Sequence, residues 1–171
     1  GMSDGSIPPD RIQDPAEKRQ PGIGMGRDPE RTPMQWDGTP HAGFTKPEVQ
    51  PWLPIGASAS RQNVATEADD EDSMLSLYRR LLALRRTHAA LQIGEVTDVK
   101  PSGGQQSAVL SYIRSHDRER ILVLLNLTNE LQPISAPAGT VLLSSWPERV
   151  LGQISGQIEL AAAEGLVLLL A

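Results

Sequence analysis

The sequence predicts a mainly β protein: an antiparallel C-terminal β-sandwich preceded by one amphipathic helix and a long irregular N-terminal loop region. Three observations predict it. Proline and glycine crowd the first 60 residues, which hold ten of the 14 prolines and eight of the 15 glycines. One apolar period of 3.6 residues follows Asp69. Beyond Gly94, short apolar or β-branched runs alternate with turn-rich pieces and no helical period intervenes. The implied divisions are a loop region over 1–70, a helix over 71–90 and a β-sandwich domain over 92–171.

In the loop region every third or fourth residue breaks regular structure. Its apolar residues, such as Ile7, Ile12, Met34, Trp36, Phe44, Trp52 and Leu53, come singly, as in a loop pinned to a surface made elsewhere. The region is therefore expected to lack a core of its own and to be the least ordered part of the chain unless a partner covers it. The helix rests on "DDEDSMLSLYRRLLALRRTH", which places Met74, Leu77, Tyr78, Leu81 and Leu84 on one face, with Ser76, Arg79, Arg80, Ala83 and Arg86 opposite. Asp72 or Ser73 can cap its first turn, while Arg85, Arg86 and His88 suit its negative end. The runs "EVTDVK", "SAVLSYIR", "RILVLLNLT", "GTVLLSS", "ERVL", "GQIEL" and "LVLLLA" predict six or seven strands, separated by "PSGGQQ", "SHDRE", "TNELQP" and "APAG". With no helices between them, they should pair antiparallel.

Composition excludes several function classes. The chain has 171 residues, 39% of them hydrophobic and 22% charged, with a net charge of −5. This charge offers no footprint for nucleic acid or an anionic membrane, so neither is an expected partner. Cysteine is absent, which removes disulfides and thiolate metal sites and suits a cytoplasmic location. No run of 18 apolar residues occurs, and "GMSDGSIPPD" has neither the basic start nor the apolar centre of a signal peptide.

Among local motifs, "GIGMG" at Gly22–Gly26 lacks the preceding strand and following helix of a dinucleotide fingerprint and reads as a turn. His41, His88 and His116 show no metal-ligand spacing, and neither a metal nor a cofactor is expected. Asp4, Asp10, Asp14, Glu17, Asp28, Glu30 and Asp37 are plentiful acids, but all sit on loops, whereas glycosidic cleavage needs a carboxylate pair held at a defined separation. They read as solvated or loop-capping groups. The segment "GRDPERTPMQWDGTPHAGF" differs in kind. Arg27 and Arg31 flank Asp28 and Glu30 and precede Gln35 and Trp36. Guanidinium forks, an amide and an indole are groups that recognise sugar hydroxyls, and equally groups that satisfy loop backbone through an internal network.

"GRDPERTPMQWDGTPHAGFT", followed by "PWLPI" and "SMLSLYRRLLALRR", resembles the C-terminal part of the α-glucosidases and oligo-1,6-glucosidases of glycoside hydrolase family 13, the α-amylase family. "GMSDGSIPPDRIQDPAEK" likewise resembles the stretch after the eighth barrel strand in that family. The resemblance implies a long loop after that strand, then the last barrel helix, then the C-terminal β-sandwich. It also implies that Arg27, with Arg31 as the alternative, lies near the subsite for the non-reducing glucose, supported by Asp28, Gln35 and Trp36. The family's catalytic Asp, Glu and Asp sit on earlier barrel strands, and none of those motifs is present, so no catalytic residue is expected here. The expected function is that of a fragment of an enzyme acting on oligosaccharides by a retaining mechanism, inactive by itself. An alternative is a non-catalytic β-sandwich module that binds carbohydrate, with Tyr112 and Trp146 as its available aromatics; a third reading has uncovered apolar surface drive self-association.

Overall fold

The computed structural model describes residues 2–102 and 108–171. The chain divides into two compact units, Gly1–Ser76 and Leu77–Ala171. Part of the expected "PSGGQQ" turn and the first residue of "SAVLSYIR" lie outside the described residues.

The first unit contains two short helices, α1 (Pro15–Arg19) and α2 (Val64–Ala68), joined by turns. Asp14 caps α1, accepting from Ala16 N at 2.8 Å, with Pro15 in the first helical position. Asn63 caps α2 through Thr66 N at 2.9 Å. Buried apolar side chains are few, Ala42 and Leu53 with the prolines Pro33 and Pro51, whereas Asp14, Asp28, Gln35, Asn63 and Ser73 are all buried. The expectation that this stretch lacks a core is thus refined. It holds for an apolar core, but the unit closes around buried polar side chains that bind its backbone, as a region of irregular chain requires.

Helix α3 (Met74–Thr87) begins at Ser73, one of the two expected caps: Ser73 Oγ accepts from Ser76 N at 3.1 Å, and Glu67 Oε2 accepts from Leu75 N at 3.1 Å. The single expected helix ends early. His88 is extended (φ −118°), and a separate helix α4 (Ala89–Ile93) follows. The Glu119 carboxylate explains the break, taking Ala90 N at 2.7 Å and His88 Nδ1 at 2.6 Å. Of the expected apolar face, Leu77, Leu81 and Leu84 pack on the sheet, while Met74 and Tyr78 are exposed.

The second unit is built on six antiparallel strands, in line with the predicted class: β1 (Glu95–Ser102), β2 (Val109–His116), β3 (Glu119–Asn126), β4 (Gln132–Ser144), β5 (Gln153–Leu160) and β6 (Gly165–Leu170). They form one hydrogen-bonded sheet in the order β1-β2-β3-β6-β4-β5. A two-residue turn joins β2 to β3, with Asp117 at φ +51°, a conformation Asp tolerates. Strands β3 and β6 are central and covered on both faces, which is why their sequences are unbroken apolar runs. Leu122, Leu124, Leu166 and Leu168 enter one cluster, and Ile121, Val123 and Val167 enter the cluster facing α3 and α4.

Two predicted boundaries are corrected. The end of "TNELQP" and the whole of "APAG", read as turns, lie in the first half of the 13-residue β4. Pro133 and Pro137 are accommodated because that half pairs with β5, while the β4–β6 ladder starts only at Gly139. "ERVL", read as a strand, is a loop, with Val150 and Leu151 exposed. A bulge between Val141 and Leu143 turns these residues to opposite faces, Val141 into the first cluster and Leu143 into the second.

Candidate functional site

The candidate residues of "GRDPERTPMQWDG" fall into two groups inside the first unit. The first gathers around Asp14, whose side chain is only 2% exposed. Its Oδ2 faces Arg27 Nε and Arg27 N, both at 3.4 Å, and Arg31 Nη1 at 3.9 Å. The Ala16 N–H, ahead of the N–H groups of Arg27, holds the Asp14 carboxyl below the ordinary carboxylate range against the opposing effect of burial. Asp28 is buried beside it and accepts from Gln13 N at 2.5 Å and Asp14 N at 2.8 Å. One carboxylate therefore positions the backbone of the other, and that other collects two guanidiniums.

Both arginine side chains stay open to solvent, Arg27 by 67% and Arg31 by 47%. Arg27 reaches Asp14 through Nε, which leaves its outer nitrogens for a ligand. A bent acceptor set such as vicinal hydroxyls suits such a fork.

The second group is Gln35–Trp36. Gln35 is buried, and its amide donates to Gln62 O and, at 3.3 Å, to Ser58 Oγ. Its backbone C=O takes Val64 N, that of Trp36 takes Ala65 N, and Trp36 N donates to Ala42 O. A side chain at Gly56 would meet Gln35 Oε1, so the Gln35 amide would have to shift to admit one. Trp36 is half exposed, its indole presented outward from a pinned backbone.

Sequence reasoning passed over three supports. Asp14 read as a loop acid, although "DPAEKR" carries the cap–proline–acid signature of a helix start. Glu17 accepts from Gly22, Met25 and Gly26 N at 2.7, 3.1 and 3.2 Å, so "GIGMG" is a turn wrapped on a carboxylate, with Gly22 and Gly24 at φ +84° and +75°. Arg11 Nη2 donates to Pro51 O and Trp52 O at 2.6 and 3.0 Å, fastening "PWLPI". No local pattern marks the last two. Among the described residues, no group of three or more His, Cys, Asp and Glu side chains could hold a metal ion, and no helix is long and apolar enough to cross a membrane.

Residues 1–94 match the family described as "Alpha amylase, catalytic domain". The chain belongs to the α-amylase family. Its relatives there include a probable α-glucosidase of Rhizobium meliloti (strain 1021), 40% identical over 105 residues, which are 61% of this chain and 18% of that protein. A trehalose-6-phosphate hydrolase of Escherichia coli (strain K12) is 39% identical over 111 residues, 64% of this chain and 19% of that protein. The solved isomaltulose synthase from Klebsiella sp. LX3 superposes with a TM-score of 0.75 at 29% identity, covering 85% of this chain and 26% of the synthase. That coverage extends the likeness past residue 94 into the sheet. The chain thus spans only about a fifth of the length of its curated α-amylase-family relatives.

Proposed function

We propose that this chain is the C-terminal part of an α-glucosidase-type glycosidase that hydrolyses or transfers α-glucosidic bonds of oligosaccharides with retention. The observation that carries the reading is the Asp14 cluster, two solvent-facing guanidiniums tethered by a buried carboxylate within the segment matched by the catalytic-domain family. Arg27, with Arg31 as the alternative, binds sugar hydroxyls at the rim of the glucose site, while Asp28, Gln35 and Trp36 hold the loop that presents it.

Bond cleavage is not assigned to these residues. It requires a proton donor and a nucleophile on a shared scaffold, and the buried or bonded acids of the first unit are already committed: Asp14 to α1 and the arginines, Asp28 to the backbone ahead of α1, and Glu17 to the glycine turn. The 171 residues alone are therefore expected to be inactive. The test joins them behind the barrel portion of the R. meliloti probable α-glucosidase and assays an aryl α-glucoside. The chimera should turn over, and Arg27→Met within it should lower kcat/KM by about tenfold to a hundredfold, the worth of one charged hydrogen bond. Turnover by the unjoined chain would refute the inactivity, and a chimera indifferent to both Arg27→Met and Arg31→Met would refute the assigned roles.

A further inference from the structure

We infer that Asp14 is a positioning residue that makes Arg27, and not Arg31, the guanidinium that binds the sugar; the inference rests on the glycosidase role proposed for this loop and deepens it. Two neighbouring pairs, Gln13–Asp14 and Arg27–Asp28, hold one another. Asp28 Oδ2 accepts Gln13 N at 2.5 Å and Asp14 N at 2.8 Å, while Asp14 Oδ2 accepts Arg27 N at 3.4 Å. The second oxygen of Asp14 is taken by Ala16 N at 2.8 Å. Both carboxylates are buried, so bulk water does not compete for them and each fixes the backbone that carries the other.

Arg27 lies inside this clamp and Arg31 outside it. Asp14 Oδ2 takes the backbone N of Arg27 and, at the same distance, its Nε, so one acceptor fixes both the root and the far part of the side chain. The Nη groups have no partner among the described residues and remain for a ligand on a side chain that is still two-thirds exposed. Arg31 Nη1 stands 3.9 Å from the same oxygen, beyond hydrogen-bond reach, and forms only a loose exposed ion pair. A guanidinium already held loses less rotamer freedom on binding than a free one, which favours Arg27. Asp14 thus has two roles, helix cap and tether, and asparagine separates them. It caps as well as aspartate and keeps an oxygen for Ala16 N, but it sets an NH2 donor where Arg27 N and Nε need an acceptor.

The experiment pairs kinetics of the chimera carrying the R. meliloti barrel portion with proton exchange in the 171-residue chain. In the chimera, Asp14→Asn should raise KM for the aryl α-glucoside by about tenfold and leave kcat within about twofold, the pattern of lost ground-state binding. It should match Arg27→Met and add nothing to it in the double variant, while Arg31→Met should move KM by less than about twofold. In the 171-residue chain, Nε–H of Arg27 should exchange more slowly than that of Arg31, and Asp14→Asn should remove the difference while the Ala16 amide keeps its protection. Equal exchange of the two Nε–H protons in the unaltered chain overturns the inference. So does an Asp14→Asn chimera with unchanged KM, or an Arg31→Met effect as large as that of Arg27→Met; each of these leaves the glycosidase reading standing. A chimera indifferent to both arginines overturns that reading and the inference together. If the Asp14→Asn chimera fails to fold, the comparison of Arg27→Met with Arg31→Met and the exchange contrast decide the matter.

Discussion

The two units solve the problem of holding a chain together in opposite ways. In the first, among the described residues, four apolar side chains, two of them prolines, are buried beside five polar ones; in the second, fourteen apolar side chains are buried beside four polar ones. The sheet gains its stability from area, which is distributed over many contacts and tolerates local change. The loop unit gains it from carboxylates and amides that each bind one to three specific backbone groups, so its order depends on a few atoms. The contrast teaches why a loop can be both irregular and fixed: hydrogen bonds made by Asp14, Glu17, Asp28, Gln35 and Asn63 supply what a period cannot.

The largest expected effect tests whether the apolar unit has a polar weak point of its own. Glu164 is almost fully buried and receives Arg149 as a fork, Nε to Oε1 at 2.6 Å and Nη2 to Oε2 at 2.5 Å, together with Ser144 Oγ and Ala161 N. Burial pushes its carboxyl up, but these donors outweigh it and leave it below the ordinary range. Arg149→Met strands the carboxylate and should cost about 3–5 kcal/mol, nearer the lower figure because Arg149 keeps some exposure; urea unfolding monitored at the sheet measures it. A loss under about 1 kcal/mol would mean that the pair is a surface ornament.

Next in size, Leu168→Ala removes a fully buried side chain from the first apolar cluster and should cost about 2–5 kcal/mol by the same measurement. Amide exchange in residues 1–76 should stay unchanged if the units are stabilised separately. In the loop unit, Asp28→Ala frees the backbone N–H groups of Gln13 and Asp14 and should cost about 1–3 kcal/mol locally. Faster exchange of those two amides and early proteolytic nicking between 13 and 31 report it. Smallest is the effect of acid on Asp14. Because its folded value is lowered, its contribution is complete above the unfolded value near about 3.9 and is lost as pH falls through the folded one. Protection of the Ala16 and Arg27 amides, relative to their intrinsic exchange rates, should therefore fall as pH drops through the folded Asp14 value, and Asp14→Asn should abolish that pH dependence.

Much of the second unit was legible from residue order. The periods of α3 and of β2, β3, β5 and β6 reflect one or two covered faces, which local sequence encodes directly. The errors lie where pairing overrides local signals. Pro133 and Pro137 argue for a turn until β5 is seen to occupy only one side of β4, and Leu143 has the parity of Val141 until the bulge between them is known. In the candidate site, residue types were legible and partners were not. Arg27 and Arg31 stand 13 and 17 residues from Asp14, and Gln35 stands 27 from Gln62. A loop without a period carries no record of which distant group it meets.

The sequence by itself therefore determined the family, the antiparallel β class, the helix with its cap narrowed to Asp72 or Ser73 and the choice of arginine, amide and indole for the loop. Each of these follows from residue identity or from spacing within one element. Tertiary structure alone decided that Asp14 gathers the two arginines, that Glu119 ends α3 at His88 and that Arg149 forks onto the buried Glu164. Those outcomes depend on groups brought together across long stretches of chain, where burial sets the strength of a charge or hydrogen bond and no local pattern anticipates it.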